Sequence, residues 1–228
     1  PHMSDVRKYP KRLIEVDLPI RKISEHARRE KSIRHGHIST LHLWWARRPL
    51  AACRAVILAS LWPDPVDPST SATFRAEAAK QLRAFRSLRG GKKVDLNDAE
   101  ELRGALLDFI ADFANWDHAA NPDFLAVARA ITTAAGVEVG SGESPVVLDP
   151  FAGGGAIPFE ACRIGAEPFA SDLNPVAVLL NKVAIEYVPR FKHALADDVR
   201  KWGAWVLAEA RKQLDELYPP GPKEGRAP

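Results

Sequence analysis

The chain has 228 residues, 46% of them hydrophobic and 27% charged, with a net charge of +3. That is enough apolar residue to bury one α/β domain with additions. No apolar run is long enough to span a membrane, and no charged start leads into a short apolar signal region.

The two cysteines, Cys53 and Cys162, lie far apart and form no Cys-x-x-Cys. Neither a disulfide framework nor a zinc site within these residues is expected, and a reducing, cytoplasmic setting is. Pro1-His2-Met3 reads as residues left by cloning ahead of a native Met3. The charge is uneven: residues 1–54 carry 13 Lys+Arg against 5 Asp+Glu, with five histidines, and the remainder is net acidic. A basic end on an acidic body suits contact with a polyanion, and equally suits a solvated tail.

Residues 4–65 read as a basic arm followed by a helix. The apolar phrase "RLIEVDLPIRKIS" is expected to run extended over the body, because Pro19 forbids a continuous helix. Leu50 to Leu61 reads as a helix, with Pro49 suited to its first turn and Pro63 stopping it. Its apolar residues cover most faces, so burial against a sheet is expected. Residues 66–142 read as an insertion of three amphipathic helices. These are "SATFRAEAAKQLRAFRSL", "LNDAEELRGALLDFIADFA" with an Asn/Asp cap, and "NPDFLAVARAITTAA" with Asn121 as cap and Pro122 at the first helical position.

Residues 143–217 carry an α/β pattern. "PVVLD" reads as a buried strand, Ala156–Arg163 as a helix closed by Gly165, and "EPFAS" as a second strand. Asn174-Pro175 caps and starts a helix to about Tyr187, and a long amphipathic helix runs from Phe191 to about Leu217. So short a strand–helix–strand connection implies parallel strands with a right-handed crossover. The Pro/Gly-rich residues 218–228 read as a linker or a truncated tail.

The chemistry gathers at Asp149-Pro150-Phe151-Ala152-Gly153-Gly154-Gly155, a glycine turn at the carboxyl end of the first strand, where open sheets bind ligands. Asp172 ends the second strand, placed to accept hydrogen bonds from ribose hydroxyls. The third glycine of a dinucleotide fingerprint would fall at Pro158, and no Gly-Lys-Ser/Thr follows for phosphates. Asp149 at the mouth of the loop would repel a pyrophosphate and suit a cationic ligand. S-adenosylmethionine, with an ammonium, a sulfonium, a ribose diol and no phosphate, satisfies that charge pattern.

"LDPFAGGGAIPFEA" together with "ASDLNP" resembles the cofactor motifs of amino-methyltransferases that act on exocyclic amines of nucleobases. "HLWWARRPLAACRAVI" is similar to the segment that completes their methionine pocket, with Arg48-Pro49-Leu50 matching its Lys/Arg-Pro-Leu/Val element. From "RLIEVDLPIRKIS" through "STLHLWWARRPLAACRAV" the chain is similar to the large adenine-specific DNA methylases with an inserted zinc ribbon and an N-terminal domain of unknown function. The resemblance covers residues 10–63 and 145–190 and implies a partial Rossmann-like S-adenosylmethionine-dependent methyltransferase fold. It implies cofactor contacts from Asp149, Pro150, Phe151, Ala152, Gly153, Gly155, Asp172, Leu173 and Asn174. Trp45, Arg47, Arg48 and Pro49, in the segment from Trp44 to Pro49, would lie against the cofactor.

Enzymes of this class also need an Asp/Asn-Pro-Pro-aromatic loop that binds the amine and stacks on the flipped base. None occurs here: "NPDF" at Asn121–Phe124 lacks the second proline and opens a helix, "LNPVA" belongs to the ribose turn, and "YPPG" lies in the tail. The expectation is a cofactor-binding portion of a restriction-modification type DNA (adenine-N6) methyltransferase, inactive alone. Its catalytic loop would come from the remainder of the methyltransferase chain. The alternatives are a guanine-N2 type RNA methyltransferase, whose motifs share this pattern, and a non-catalytic nucleic-acid-binding or partner-docking module. Arg28, Arg29, Lys31 and Arg34 are candidates for phosphate contacts. His35, His37 and His42 lie close together without the further ligands a metal needs, so no metal is expected.

Overall fold

The computed structural model describes residues 9–33, 42, 44, 47–89, 94–140, 142, 144–214 and 217. These fall into two compact units, 1–185 and 186–228.

The first unit begins with α1 (Leu13–Val16) and α2 (Ile20–Glu30). The arm is therefore helical where an extended path was expected. Pro19 does break the chain between the two, but as the N-cap of α2. The residues after it are mostly good helix formers, and Ile23 turns inward to bury itself. An isolated antiparallel bridge, Arg12 with Pro63, ties the arm to the end of α3 (Leu50–Leu61). There Leu13 N–H donates to the Trp62 carbonyl at 3.0 Å and Asp64 N–H to the Lys11 carbonyl at 2.8 Å.

Three helices of the insertion follow: α4 (Ala72–Arg89), α5 (Ala99–Phe113) and α6 (Pro122–Glu138). Their starts follow from their caps. Asp98 accepts from Glu101 N–H at 2.9 Å, and Asn121 accepts from Asp123 N–H at the same distance. The core lies between these helices and α3, where Leu58, Trp62, Phe74, Leu106, Phe113 and Phe124 are buried. α3 is thus covered by helices, not by the sheet expected of it.

The rest of the first unit is one strand–helix–strand segment: β1 (Val146–Asp149), α7 (Ala156–Arg163) and β2 (Glu167–Ala170). The strands are parallel, with Val146 opposite Glu167 and Asp149 opposite Ala170. Next come α8 (Pro175–Asn181) and a π-helical turn, Lys182–Tyr187, whose last two residues belong to the second unit. Asn174 caps α8 by accepting from Val176 N–H at 2.9 Å.

These observations correct the expected Rossmann-like α/β fold. The described residues are mostly helical, and their sheet has two strands of four residues each. Only 146–170 combines two strand-forming runs with a crossover helix. The segments on either side place their apolar residues at helical spacing and fold as helices. The described residues of the second unit lie mostly in α9 (Val188–Leu214), which is broken at Lys192 by a φ of 50° and has no buried residue.

A buried ion pair joins the two parts of the first unit. Arg54 of α3 and Glu160 of α7 are both fully buried, with Nε donating to the carboxylate at 2.7 Å. Arg54 also donates to the Phe113 carbonyl and lies over that ring at 4.7 Å. Arg163 adds a second cation, 3.1 Å from Glu160.

Candidate functional site

The loop between β1 and α7 is shaped by its glycines. Gly153 and Gly155 have φ of +49° and +77°, in the left-handed region that side chains with a Cβ rarely adopt. Their neighbours leave no room for a side chain either. A Cβ on Gly153 would stand 2.8 Å from Trp44 Nε1, and one on Gly155 would stand 2.7 Å from Asn181 Oδ1. Trp44 therefore lies directly against the turn, its Cβ 3.2 Å from where a Gly154 Cβ would be.

Hydrogen bonds fix this turn to β2 and α8. Ala152 N–H donates to the Ser171 carbonyl at 3.0 Å, and Gly155 N–H to the Ala152 carbonyl at 2.8 Å. The Asp172 carboxylate accepts from Gly153 N–H at 2.8 Å and from Asn174 N–H at 2.9 Å. These N–H groups, Asn174 first and then Gly153, hold the Asp172 carboxyl below the ordinary aspartate range. Asn181 closes the back of the loop, donating to the Gly153 carbonyl at 3.1 Å and to the Ala177 carbonyl at 2.8 Å. Both amide hydrogens are thereby used, which fixes the amide's orientation. Its Oδ1 is buried against Gly155 and accepts no hydrogen bond.

In front of the loop is a cleft of about 320 Å³, lined by Trp44, Arg47, Arg48, Asp149, Phe151 and the glycine turn. Asp149 is buried and accepts from Phe151 N–H at 3.1 Å. A single cleft thus brings one carboxylate and two guanidiniums beside the glycine turn and the Trp44 indole packed on it. That pattern suits a ligand carrying both a cationic and an anionic group. A small recess shares Trp44 and Arg47 with this cleft and extends to His42, Gly155, Phe159 and Ala184 of the π-helical turn.

The expected site residues divide as follows. Arg47, Arg48, Asp149, Phe151, Ala152 and Gly153 line the cleft. Pro150 lies in the same loop, its carbonyl accepting from Ser171 Oγ at 3.3 Å, and Gly155 faces the recess. Pro49 faces a separate apolar groove between α3 and β1, about 560 Å³ in volume. Asp172 anchors the loop through Gly153 N–H and is not among the residues lining the cleft, Leu173 is fully in solvent, and Asn174 serves as the α8 cap. Trp45 lies outside the described residues. Gly154 of the expected loop and Trp44 of the expected segment also line the cleft, and Asn181 is the addition that the structure makes. Asn181 had one sequence signal, a lone amide in the apolar run "VAVLLNKVA".

Among the basic candidates, Arg28 and Lys31 are exposed. Arg29 is already committed: it donates to Asp117 at 2.7 and 3.2 Å and to Asn115 at 3.1 Å. Arg34, His35 and His37 lie outside the described residues. No cluster of metal-ligating side chains occurs among the described residues. "NPDF" is structural, since Asn121 caps α6 and Phe124 is buried, stacked on Phe113 and His118.

Residues 17–87 match a protein family of unknown function, DUF1156. The matched segment runs from α2 through Trp44–Pro49 and α3 into α4, and stops short of the glycine loop. No curated protein and no solved structure matches the chain. Among the described residues, no helix is long and apolar enough to cross a membrane.

Proposed function

We propose that this chain binds S-adenosylmethionine in the cleft before the glycine loop, as the cofactor-binding portion of a nucleic-acid amino-methyltransferase. The observation that carries this is the placement of buried Asp149 in one cleft with Arg47 and Arg48, against a loop that has no lysine for phosphates. Asp149 would take the ammonium and Arg47 or Arg48 the carboxylate of the methionine moiety. Asp172 retains acceptor capacity for a ribose diol beyond the two backbone N–H groups it already binds. Bound there, the cofactor would supply a methyl group on a sulfonium. The residues of this chain would orient it and exclude water from one side, with the Trp44 indole packed on the turn.

The resemblance of the motifs makes adenine-N6 of DNA the favoured acceptor. Exposed Arg28 and Lys31 are available for backbone phosphates, and Arg29 is not. The acceptor amine's own partner, an Asp/Asn-Pro-Pro-aromatic loop, is absent from these 228 residues.

Calorimetric titration with S-adenosylmethionine tests the proposal. Binding is expected, with Asp149→Ala and Asp172→Ala each weakening it at least about tenfold. No heat at millimolar cofactor, or equal affinity of the wild type and Asp149→Ala, would overturn it.

A further inference from the structure

The glycine loop is not the only surface with a built-in pattern. Beyond the break at Lys192, α9 has no buried residue, and Val199, Trp202, Trp205 and Val206 are each more than half exposed. Leu195, Val199, Trp202, Val206 and Ala210 recur every three or four residues, which places them in one stripe along the helix.

Along one edge of that stripe stand Asp198, Lys201, Trp205, Glu209 and Lys212, spaced three, four, four and three residues apart. The spacing is symmetric about Trp205 and the charges are antisymmetric: acid and base before it, acid and base after it. Laying the helix antiparallel on a copy of itself, Trp205 against Trp205, brings Asp198 opposite Lys212 and Lys201 opposite Glu209. The two-fold repeats both pairs. A parallel pairing in register would set acid on acid and base on base.

We propose that α9 is a self-association surface that pairs antiparallel with α9 of a second copy of this chain. A two-fold interface must be self-complementary, and this edge is. The lysines are already held beside the stripe. Lys212 lies 2.7 Å from Glu209, and Lys201 lies over the Trp202 ring at 5.4 Å. The proposal does not depend on the cofactor reading.

Sedimentation equilibrium of the whole chain is the test. A monomer–dimer equilibrium is expected, weakened at least about tenfold by Trp205→Glu. Asp198→Lys is expected to weaken it as well, and adding Lys212→Asp in the same chain to restore it. Helical circular dichroism should not change, because every substituted side chain is exposed. A wild-type monomer at all concentrations overturns the proposal. So does a dimer indifferent to Trp205→Glu, or a double charge swap that fails to restore association, the outcome for a parallel pair or another contact face.

Discussion

In the helical layer, Trp62, Phe74, Phe113 and Phe124 are each at most 1% exposed, whereas on the outer face of the two strands Val146, Leu148 and Phe169 are each 61–62% exposed. Leu148 and Phe169 are opposite one another in the register, so this face is continuous. The helices of the first unit have therefore closed their core among themselves. The strand–helix–strand segment has closed only the side that α7 covers, and parallel strands are ordinarily covered on both sides. Stability resides in the first region, while the second holds a shaped, charged loop on a thin support. Substitutions should accordingly act on folding in one region and on the loop in the other.

The largest effect is expected where the two regions are joined. Glu160→Ala would leave Arg54 buried without its carboxylate, at a cost of about 3–5 kcal/mol. Urea denaturation measures it, and a loss below about 1 kcal/mol would mean that the two regions are not tied through this pair. Next come two glycines with opposite expected signs. Gly155→Ala, at φ +77° and against Asn181, should destabilise by about 1–3 kcal/mol. Gly104→Ala, inside α5 with nothing within 4 Å of the new Cβ, should stabilise by about 0.4–1 kcal/mol. The same sign for both in thermal melts would erase the contrast between loop and body.

The cysteines sharpen it without changing stability. Burial first, and then the charge of Glu160, pushes the Cys53 thiol up to about 12, while Cys162 is exposed. A thiol reagent at about pH 8 should modify one cysteine in the native chain and two in denaturant. Acid gives the smallest effect. The folded Asp172 carboxyl is depressed, so its contribution to loop order is fully present above the ordinary aspartate value of about 3.9. It is lost as pH falls through the lower folded value. Amide exchange at Gly153 should therefore rise only below that range, and acceleration already near neutral pH would show that Asp172 is not the anchor.

Much of this was legible locally. The spans of α3 and α7 and the caps Asp98, Asn121 and Asn174 follow from short-range rules, since a cap and the N–H it binds are two or three residues apart. The parallel pairing of β1 and β2 followed from the length of their connection. The fold class did not follow, because one clear strand–helix–strand unit says nothing of how many strands join it. At the site, the loop and its two acids stood out as a motif, and the reach of Trp44 and Asn181 onto the glycines did not. Arg54 and Glu160 are each a lone charge in an apolar helix, a sign that each needs a buried partner. Nothing within either helix identifies that partner across 106 positions.

Glu30 shows where the chain can and cannot be divided. α3 has Pro49 at its N-cap and no side-chain cap of its own. The two oxygens of Glu30 serve instead, accepting from Leu50 and Ala51 N–H at 2.9 Å each. A cut between the arm and α3, where the change from basic tail to apolar helix invites one, would remove the group that satisfies α3's first turn. That turn directly follows Arg47 and Arg48, so an excised glycine-loop piece would lose one wall of its cleft along with the arm.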